Sequence, residues 1–372
     1  MKFLFYSPVR LQNGGGCERW HCDITNSLKH RFGDEVEIVT GNLGRTNWTE
    51  DYLKQELRGI PYQMLKYPVI FGVLIPTPKI ILELYHLFKQ ADSVHMIFGF
   101  MGQDVLFLTL KLITGKRLLV GHHAPIFHSS KIHNWYISHV SRYLMPYFDN
   151  HQTLNSSDRN YFRKVWNIKN VYFIPSGIRV DRFLPQKKAR HRSLIFLSVG
   201  RYAPQKGFDL ELEAISIFNK KYPQNQAIFR FVGGGELKGL ISDYSKKFSN
   251  VMDLGYVKYE VIPKIYSGSD VYLLCSREEP FGLVLIEAWS SGLPVLATKT
   301  EGPRDMLRPL KNGWFINRND PQAMASSIEQ IYCLWKKNPL ILESMQQECV
   351  STARKYSIDI TAQKMRKLLQ HG

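Results

Sequence analysis

Ser276-Arg277-Glu278-Glu279-Pro280-Phe281-Gly282-Leu283-Val284-Leu285-Ile286-Glu287-Ala288 is the stretch on which the reading of this chain turns. The segment before it, Asp270 to Cys275, reads as a strand, and Pro280 with Gly282 marks a turn into a helix over Phe281 to Ser290. Glu279 then falls in the loop at the helix start, and Glu287 about one and a half turns inside the helix. Carboxylates accept hydrogen bonds from hydroxyls. The unpaired amides of a helix start, here near Phe281 to Val284, suit a phosphate.

Outward from this stretch, strands and helices alternate. Leu194 to Val199 reads as a strand, Phe208 to Phe218 as a helix, and Ile228 to Val232 as a strand ending in Gly233-Gly234-Gly235. Pro294 to Ala297 reads as a strand and Pro321 to Trp335 as a helix. The first half repeats the pattern, with strands at Lys2 to Tyr6, Val36 to Thr40, Val94 to Phe98 and Arg117 to Gly121. Its helices are expected at Cys17 to His30, Pro78 to Gln90 and Asp104 to Ile113. Such alternation implies right-handed crossovers and parallel sheets. Pro175, Gly177, Pro185 and the basic run at 187–192 interrupt it. The expectation is an α/β chain of two Rossmann-like domains, residues 1–177 and 178–355, with ligands at the carboxyl edges of both sheets.

Composition supports two cores, since 372 residues with 44% hydrophobic content exceed one typical domain. The most apolar stretch, Tyr67 to Phe88, is interrupted by Pro68, Gly72, Pro76, Pro78, Lys79, Glu83 and His86, so no span of about 20 apolar residues is expected. The short apolar run Phe3 to Tyr6 does not read as a signal peptide, and a cytoplasmic location is expected. Cys17, Cys22, Cys275, Cys333 and Cys349 contain no Cys-x-x-Cys pair and read as reduced thiols, with Cys17 and Cys22 packing a helix. A net charge of +17 favours anionic partners: nucleotide phosphates, an anionic membrane or nucleic acid. No stretch interleaves aromatic and basic residues as nucleic-acid motifs do, and nucleic acid is not expected as a partner.

Two further clusters carry chemistry. Val199-Gly200-Arg201 with Pro204-Gln205-Lys206-Gly207 places two cations five apart across a turn at a strand end. Converging cations suit a diphosphate, Arg201 as a planar fork and Lys206 as a mobile charge. Gly14-Gly15-Gly16 stands between the first strand and a helix, where backbone amides can meet an anion. The spacing is not G-x-G-x-x-G, and Glu35 and Glu37 match an acidic ribose contact only loosely, which argues against a dehydrogenase.

Together these segments resemble the family 4 retaining glycosyltransferases of GT-B fold. The likeness rests on Glu279-Pro280-Phe281-Gly282 through Glu287, on Val199-Gly200-Arg201 with Lys206-Gly207, and on Gly14-Gly15-Gly16 followed by Glu18-Arg19. Ile174-Pro175-Ser176-Gly177-Ile178 with Arg182-Phe183, and Asn312-Gly313 with Asp320-Pro321, continue it in order along the chain. The resemblance implies two Rossmann-like domains facing a central cleft and a hexosyltransferase that uses a nucleotide-sugar, UDP- or GDP-linked. Arg201 and Lys206 are implied at the donor diphosphate, Glu279 at the sugar hydroxyls and Glu287 at the ribose. The backbone at Phe281, Gly282 and Leu283 is implied at the sugar and phosphates, with Gly15 and Gly16 at the phosphates from the first domain. An active-site histidine is implied within Leu119-Val120-Gly121-His122-His123-Ala124-Pro125; His123 is favoured over His122. The resemblance also implies that the amphipathic C-terminal segment 356–372 returns to the first domain as a helix.

Two departures stand out. Glu301-Gly302-Pro303-Arg304-Asp305 brings Arg304 where the family has a glycine-rich acidic loop, and Ala124 follows His123 where an acid is common. The chain holds no Asp-x-Asp, so neither a metal nor another cofactor is expected. Charge on the leaving diphosphate then falls to Arg201, Lys206 and helix amides. The acceptor is expected to be a glycan, a lipid-linked or a small molecule, as in polysaccharide or glycolipid biosynthesis. Tyr67 to Phe88 with Lys66, Lys79 and Lys89 is either ordinary core or a peripheral contact with an anionic membrane at its inner face. The competing readings are an inactive sugar-nucleotide-binding protein and a basic nucleic-acid-binding protein.

Overall fold

The computed structural model describes residues 1–124, 126, 130–186, 193–316 and 320–370. Pro125 and the basic run at 187–192 lie outside the described residues. Contacts divide the chain into two compact units, Met1–Gly177 with Ile358–Gly372, and Ile178–Ser357.

The strands of the first unit are β1 (Lys2–Val9), β2 (Glu35–Leu43), β3 (Tyr62–Met64), β4 (Val69–Ile70), β5 (Val73–Leu74), β6 (Ser93–Ile97), β7 (Arg117–His122), β8 (Asn150–Thr153) and β9 (Val171–Phe173). All but β4 and β5 form one parallel sheet in the order β3-β2-β1-β6-β7-β8-β9, while β4 and β5 make a small antiparallel hairpin. Its helices are α1 (Gly16–Phe32), α2 (Glu50–Leu57), α3 (Pro78–Gln90), α4 (Gln103–Thr114), α5 (Lys131–Tyr136), α6 (Arg142–Leu144) and α7 (Ser156–Val165). Leu4, Tyr6 and Val39 point to the face covered by α3, α4 and α7, and Phe3, Phe5 and Ile38 to the face covered by α1. This is the alternation that a strand buried on both faces requires.

The C-terminal helix of the chain belongs to this unit. It runs Ile358–Gln370 and packs on α1 through Ile358, Ala362, Met365 and Leu369, all buried. Polar contacts fix its register. Ser93 Oγ donates to the Leu369 carbonyl at 2.7 Å and Thr361 Oγ1 to the Pro175 carbonyl at 3.0 Å. Arg366 grips the buried Asp34 carboxylate at 2.6 and 3.1 Å.

The second unit carries β10 (Leu194–Arg201), β11 (Ala227–Gly234), β12 (Val251–Asp253), β13 (Val271–Leu274), β14 (Val295–Thr298) and β15 (Gly313–Ile316). They form a parallel sheet in the order β12-β11-β10-β13-β14-β15. Its helices are α8 (Phe208–Lys221), α9 (Lys238–Lys247), α10 (Ile262–Ser267), α11 (Leu283–Ser290), α12 (Glu301–Met306), α13 (Pro321–Lys337) and α14 (Ile341–Arg354), before the C-terminal α15 (Ile358–Gln370). The order reverses at β10, with β11 on one side and β13 on the other, and the crevice at such a point is where open α/β sheets hold ligands.

One boundary in the deciding stretch differs from its expected place. The helix starts at Leu283 rather than Phe281, because Gly282 sits at its N-cap with φ 92°, a left-handed conformation no helix can continue. Glu287 is therefore about one turn in, not one and a half.

Candidate active site

The carboxyl ends of β10 and β13 in the second unit bring the predicted donor residues together. β10 ends at Arg201, beside Gly234 of β11. The chain then makes a short 3-10 turn, Pro204–Lys206, and enters α8 through Gly207 at φ 68°. A Cβ on Gly207 would fall 2.0 Å from the Cys275 carbonyl oxygen, so only glycine lets this turn rest on the end of β13. Arg277 ties the two loops. Its guanidinium grips the Asp209 carboxylate at 2.7 and 2.6 Å and donates to the Pro204 carbonyl at 2.5 Å, while its amide donates to the Gln205 carbonyl.

Within this frame Lys206 Nζ reaches Glu279 Oε2 at 2.6 Å, and Ser276 Oγ donates to the same oxygen at 3.3 Å. Glu279 is buried, and Lys206 keeps about a quarter of its side chain in solvent (27%). Arg201 is exposed and makes no ion pair with the described residues. Glu287 lies buried on the inner side of α11, where Tyr266 donates to Oε2 at 2.9 Å and Tyr259 to Oε1 at 3.4 Å. Phe281, Gly282 and Leu283 form the entry to α11, and the Gly302 amide of α12 donates to the Glu279 carbonyl at 2.9 Å. A Cβ on Gly302 would meet the Phe281 carbonyl oxygen at 2.0 Å. The arrangement offers a cation, a buried carboxylate acceptor and helix-start amide donors at one sheet edge, groups that suit a sugar diphosphate.

In the first unit Gly15 is the N-cap of α1 and Gly16 its first residue. The Glu18 carboxyl already sits at this helix start. Burial pushes it up, against the pull of its own amide, Asn13 and the Gly15 amide. An anion at Gly15 and Gly16 must therefore share the helix start with Glu18.

The two adjacent histidines separate clearly. His122 ends β7 fully buried against Phe162, with ring centroids 4.0 Å apart. Its Nε2 lies 3.1 Å from His151 Nδ1, and His151 Nε2 lies 3.0 Å from the Met145 carbonyl. A carbonyl only accepts, so His151 carries its proton on Nε2 and His122 donates from Nε2. His123 lies beyond the strand, half-buried, its ring 4.4 Å from that of Trp20 on α1. Gln152 Nε2 donates to the Ile174 carbonyl at 3.0 Å, which turns Oε1 toward His123 Nε2 at 3.3 Å. His123 thus holds its proton on Nε2 and keeps the Nδ1 lone pair. Trp20, Gln152, Tyr266 and Arg277 gave no signal as site residues in the sequence. Gln152 lies on the polar strand β8, and Arg277 sits inside the deciding stretch without a recognised motif role.

Burial keeps these rings neutral. It lowers His21 to about 4, His151 to about 4 and His123 to about 3, the last also through the nearby His21 ring; His95 and His122 move the same way. The second unit has the opposite case. Burial pushes the Glu211 carboxyl, under the Lys206 turn, up to about 8, against hydrogen bonds from Ser198 and Cys275. Folded histidines held neutral in this way lose stability as pH falls below their ordinary 6.5 toward about 4. A folded carboxyl raised above its ordinary 4.5 contributes stability at low pH that is lost as pH rises toward 8. Lowering pH from about 7.5 to about 5.5 is expected to reduce hydrogen-exchange protection in β6–β8 and raise it in β10 and α8, after correction for intrinsic rates. A shift of the same sign in both units would contradict this.

Comparison with known proteins agrees with the fold. Residues 180–355 match the family model described as Glycosyl transferases group 1. The chain is 23% identical over 367 residues to an uncharacterized glycosyltransferase of Haemophilus influenzae, covering 96% of this chain and 97% of that one. It is 22% identical over 343 residues to the GDP-mannose-dependent alpha-(1-6)-phosphatidylinositol monomannoside mannosyltransferase of Mycolicibacterium smegmatis, covering 82% and 87%. The solved structure of Anabaena HepE with UDP and glucose is similar over the whole of both chains, with TM-score 0.78 and 18% identity. Sucrose-phosphate synthase from Thermosynechococcus elongatus is similar at TM-score 0.76 and 18% identity, over 100% of this chain and 98% of that one. The fold is that of the GT-B glycosyltransferases. The chain is a glycosyltransferase, an enzyme of the hexosyltransferase type, and its match to the group 1 model lies in the second unit.

Proposed function

We propose that this chain is a family 4 retaining glycosyltransferase that moves a sugar from a nucleotide-diphosphate-sugar, UDP- or GDP-linked, to a glycan, lipid-linked or small-molecule acceptor. The observation that carries the reading is the Lys206–Glu279 pair at 2.6 Å on the sheet edge beside the start of α11. Donor diphosphate takes the Lys206 ammonium and the Arg201 guanidinium, and Lys206 passes part of its charge from Glu279 to the phosphate. Glu279 is then turned to the sugar hydroxyls as an acceptor and orients the ring. Glu287, held by two tyrosine hydroxyls, accepts from the ribose. As the C–O bond to the diphosphate breaks, Arg201, Lys206 and the α11 amides meet the charge that develops on the leaving group. On the first unit, His123 offers a neutral imidazole and the amides of Gly15 and Gly16 offer anion donors.

The likeness to a phosphatidylinositol monomannoside mannosyltransferase supports a lipid-linked acceptor, and the net charge of +17 supports peripheral work at the inner face of an anionic membrane. No described helix is long and apolar enough to cross a membrane. With cations in the clamp, the reaction is read as metal-independent. One experiment tests the reading: a nucleotide-sugar screen run in excess EDTA, with NMR of the product's anomeric proton. Transfer with the donor's configuration retained is expected. Inversion, or activity restored only by added Mg²⁺ or Mn²⁺, would overturn the reading.

A further inference from the structure

We propose that the outer face of the α3, α4 and α5 layer, with the β4–β5 hairpin, is the surface on which this chain lies against an anionic lipid bilayer. The proposal deepens the membrane element of the proposed function, on which it rests, by naming the surface. Between two readings of Tyr67 to Phe88, core or membrane contact, the structure divides the residues. Tyr67, Leu74, Ile80, Leu84 and Phe88 are core. The hairpin tip faces the other way: Ile70 is exposed and Phe71 fully so (102%), held at φ 48° beside Gly72.

Three neighbouring elements continue that exposure. On α3 the outward stripe is Lys79, Leu82, His86 and Lys89, spaced as one face of a helix. On α4, Leu112 is 72% exposed. The helical run from Lys131 to Leu144 presents Ile132, Trp135, His139 and Tyr143 at intervals of three and four residues, with Trp135 stacked on His139. α3 packs beside α4, and Tyr136 and Ser141 donate to Asp104 at the start of α4, so the helices that carry these stripes are neighbours in one layer.

Charge decides the occupant. Residues 66–149 hold eight Lys or Arg against four Asp or Glu. Of the four acids, Asp104 is buried and Asp149 pairs with Lys111 at 3.2 Å. Lys66, Lys79, Lys89, Lys131 and Arg142 are exposed among the apolar stripes. A protein partner fits a continuous apolar core with a polar rim. Apolar and aromatic side chains interleaved with long cations, and led by a protruding hairpin tip, fit headgroups and the upper acyl region.

The test is co-sedimentation of the full chain with vesicles of phosphatidylcholine alone and of phosphatidylcholine mixed with phosphatidylglycerol. The parent is expected to partition onto the anionic vesicles, weakly onto neutral ones, and less as salt rises. Ile70→Ser with Phe71→Ser, and separately Trp135→Ser, should lower that partition at least tenfold while melting temperature and nucleoside-diphosphate binding stay unchanged. No partition, equal partition onto neutral vesicles, or variants that bind as the parent does would overturn the proposal. So would a concentration-dependent dimer that the same variants dissolve without changing vesicle binding. Vesicle partition without nucleotide binding would support this surface and count against the donor reading instead.

Discussion

Lys206→Ala is expected to lower kcat/KM for sugar transfer by about 10²–10³-fold, the loss typical when one donor to developing negative charge is removed. The side chain carries two duties. It is a cation at the sheet edge beside the loop that enters α11, and it is paired at 2.6 Å with the buried Glu279 carboxylate. Its removal leaves the Glu279 carboxylate with Ser276 alone as hydrogen-bond donor among the contacts described above. Both the leaving group and the sugar-orienting carboxylate are therefore disturbed. Arg201→Ala touches less of the fold, because Arg201 is exposed and unpaired among the described residues. It should weaken nucleoside-diphosphate binding by about 1.5–3 kcal/mol. Steady-state kinetics of the two variants separate the duties: Arg201→Ala should act mainly on affinity, and Lys206→Ala on kcat as well. Parent-like kcat/KM in both would remove the clamp from the mechanism.

Deletion of residues 356–372 is expected to unfold the first unit. Ile358, Met365 and Leu369 are each more than nine-tenths buried in its core. At about 1.5–3 kcal/mol for each such side chain, their loss removes about 5–9 kcal/mol, comparable to the whole stability of a typical domain. The deletion also strips Arg366 from the buried Asp34 carboxylate and exposes one face of α1. Circular dichroism and size exclusion should show loss of helix and aggregation, and transfer activity should vanish with them. A monomeric truncated chain with normal activity would show that α15 is dispensable.

The sequence revealed the fold where burial followed a period. The strands at the centre of both sheets and the long helices α1, α3, α4, α8 and α13 stand within a few residues of their expected ranges. Two of the unread elements have a pattern carried by something else. β8 is Asn-His-Gln-Thr, all buried, its polar side chains satisfied by hydrogen bonds such as Gln152 to Ile174. α12 runs through Gly302 and Pro303, residues that argue against a helix, and is held by the packing of Gly302 on the Phe281 carbonyl. The loops around Lys206 and Glu279 were legible because Gly207 stands where backbone approaches closely and Gly282 where the chain turns left-handed into a helix. Tyr266, Trp20 and Gln152 were not, because only the fold brings them to Glu287 and His123.

Isothermal titration of UDP and GDP, each against its monophosphate, into the parent chain and into the Arg201→Ala/Lys206→Ala variant tests the diphosphate clamp most directly. One diphosphate is expected to bind the parent at least tenfold more tightly than its monophosphate, and that preference should disappear in the double variant. Equal affinity for mono- and diphosphate in the parent, or a preference that survives loss of both cations, would contradict a donor site built on Arg201, Lys206 and the start of α11.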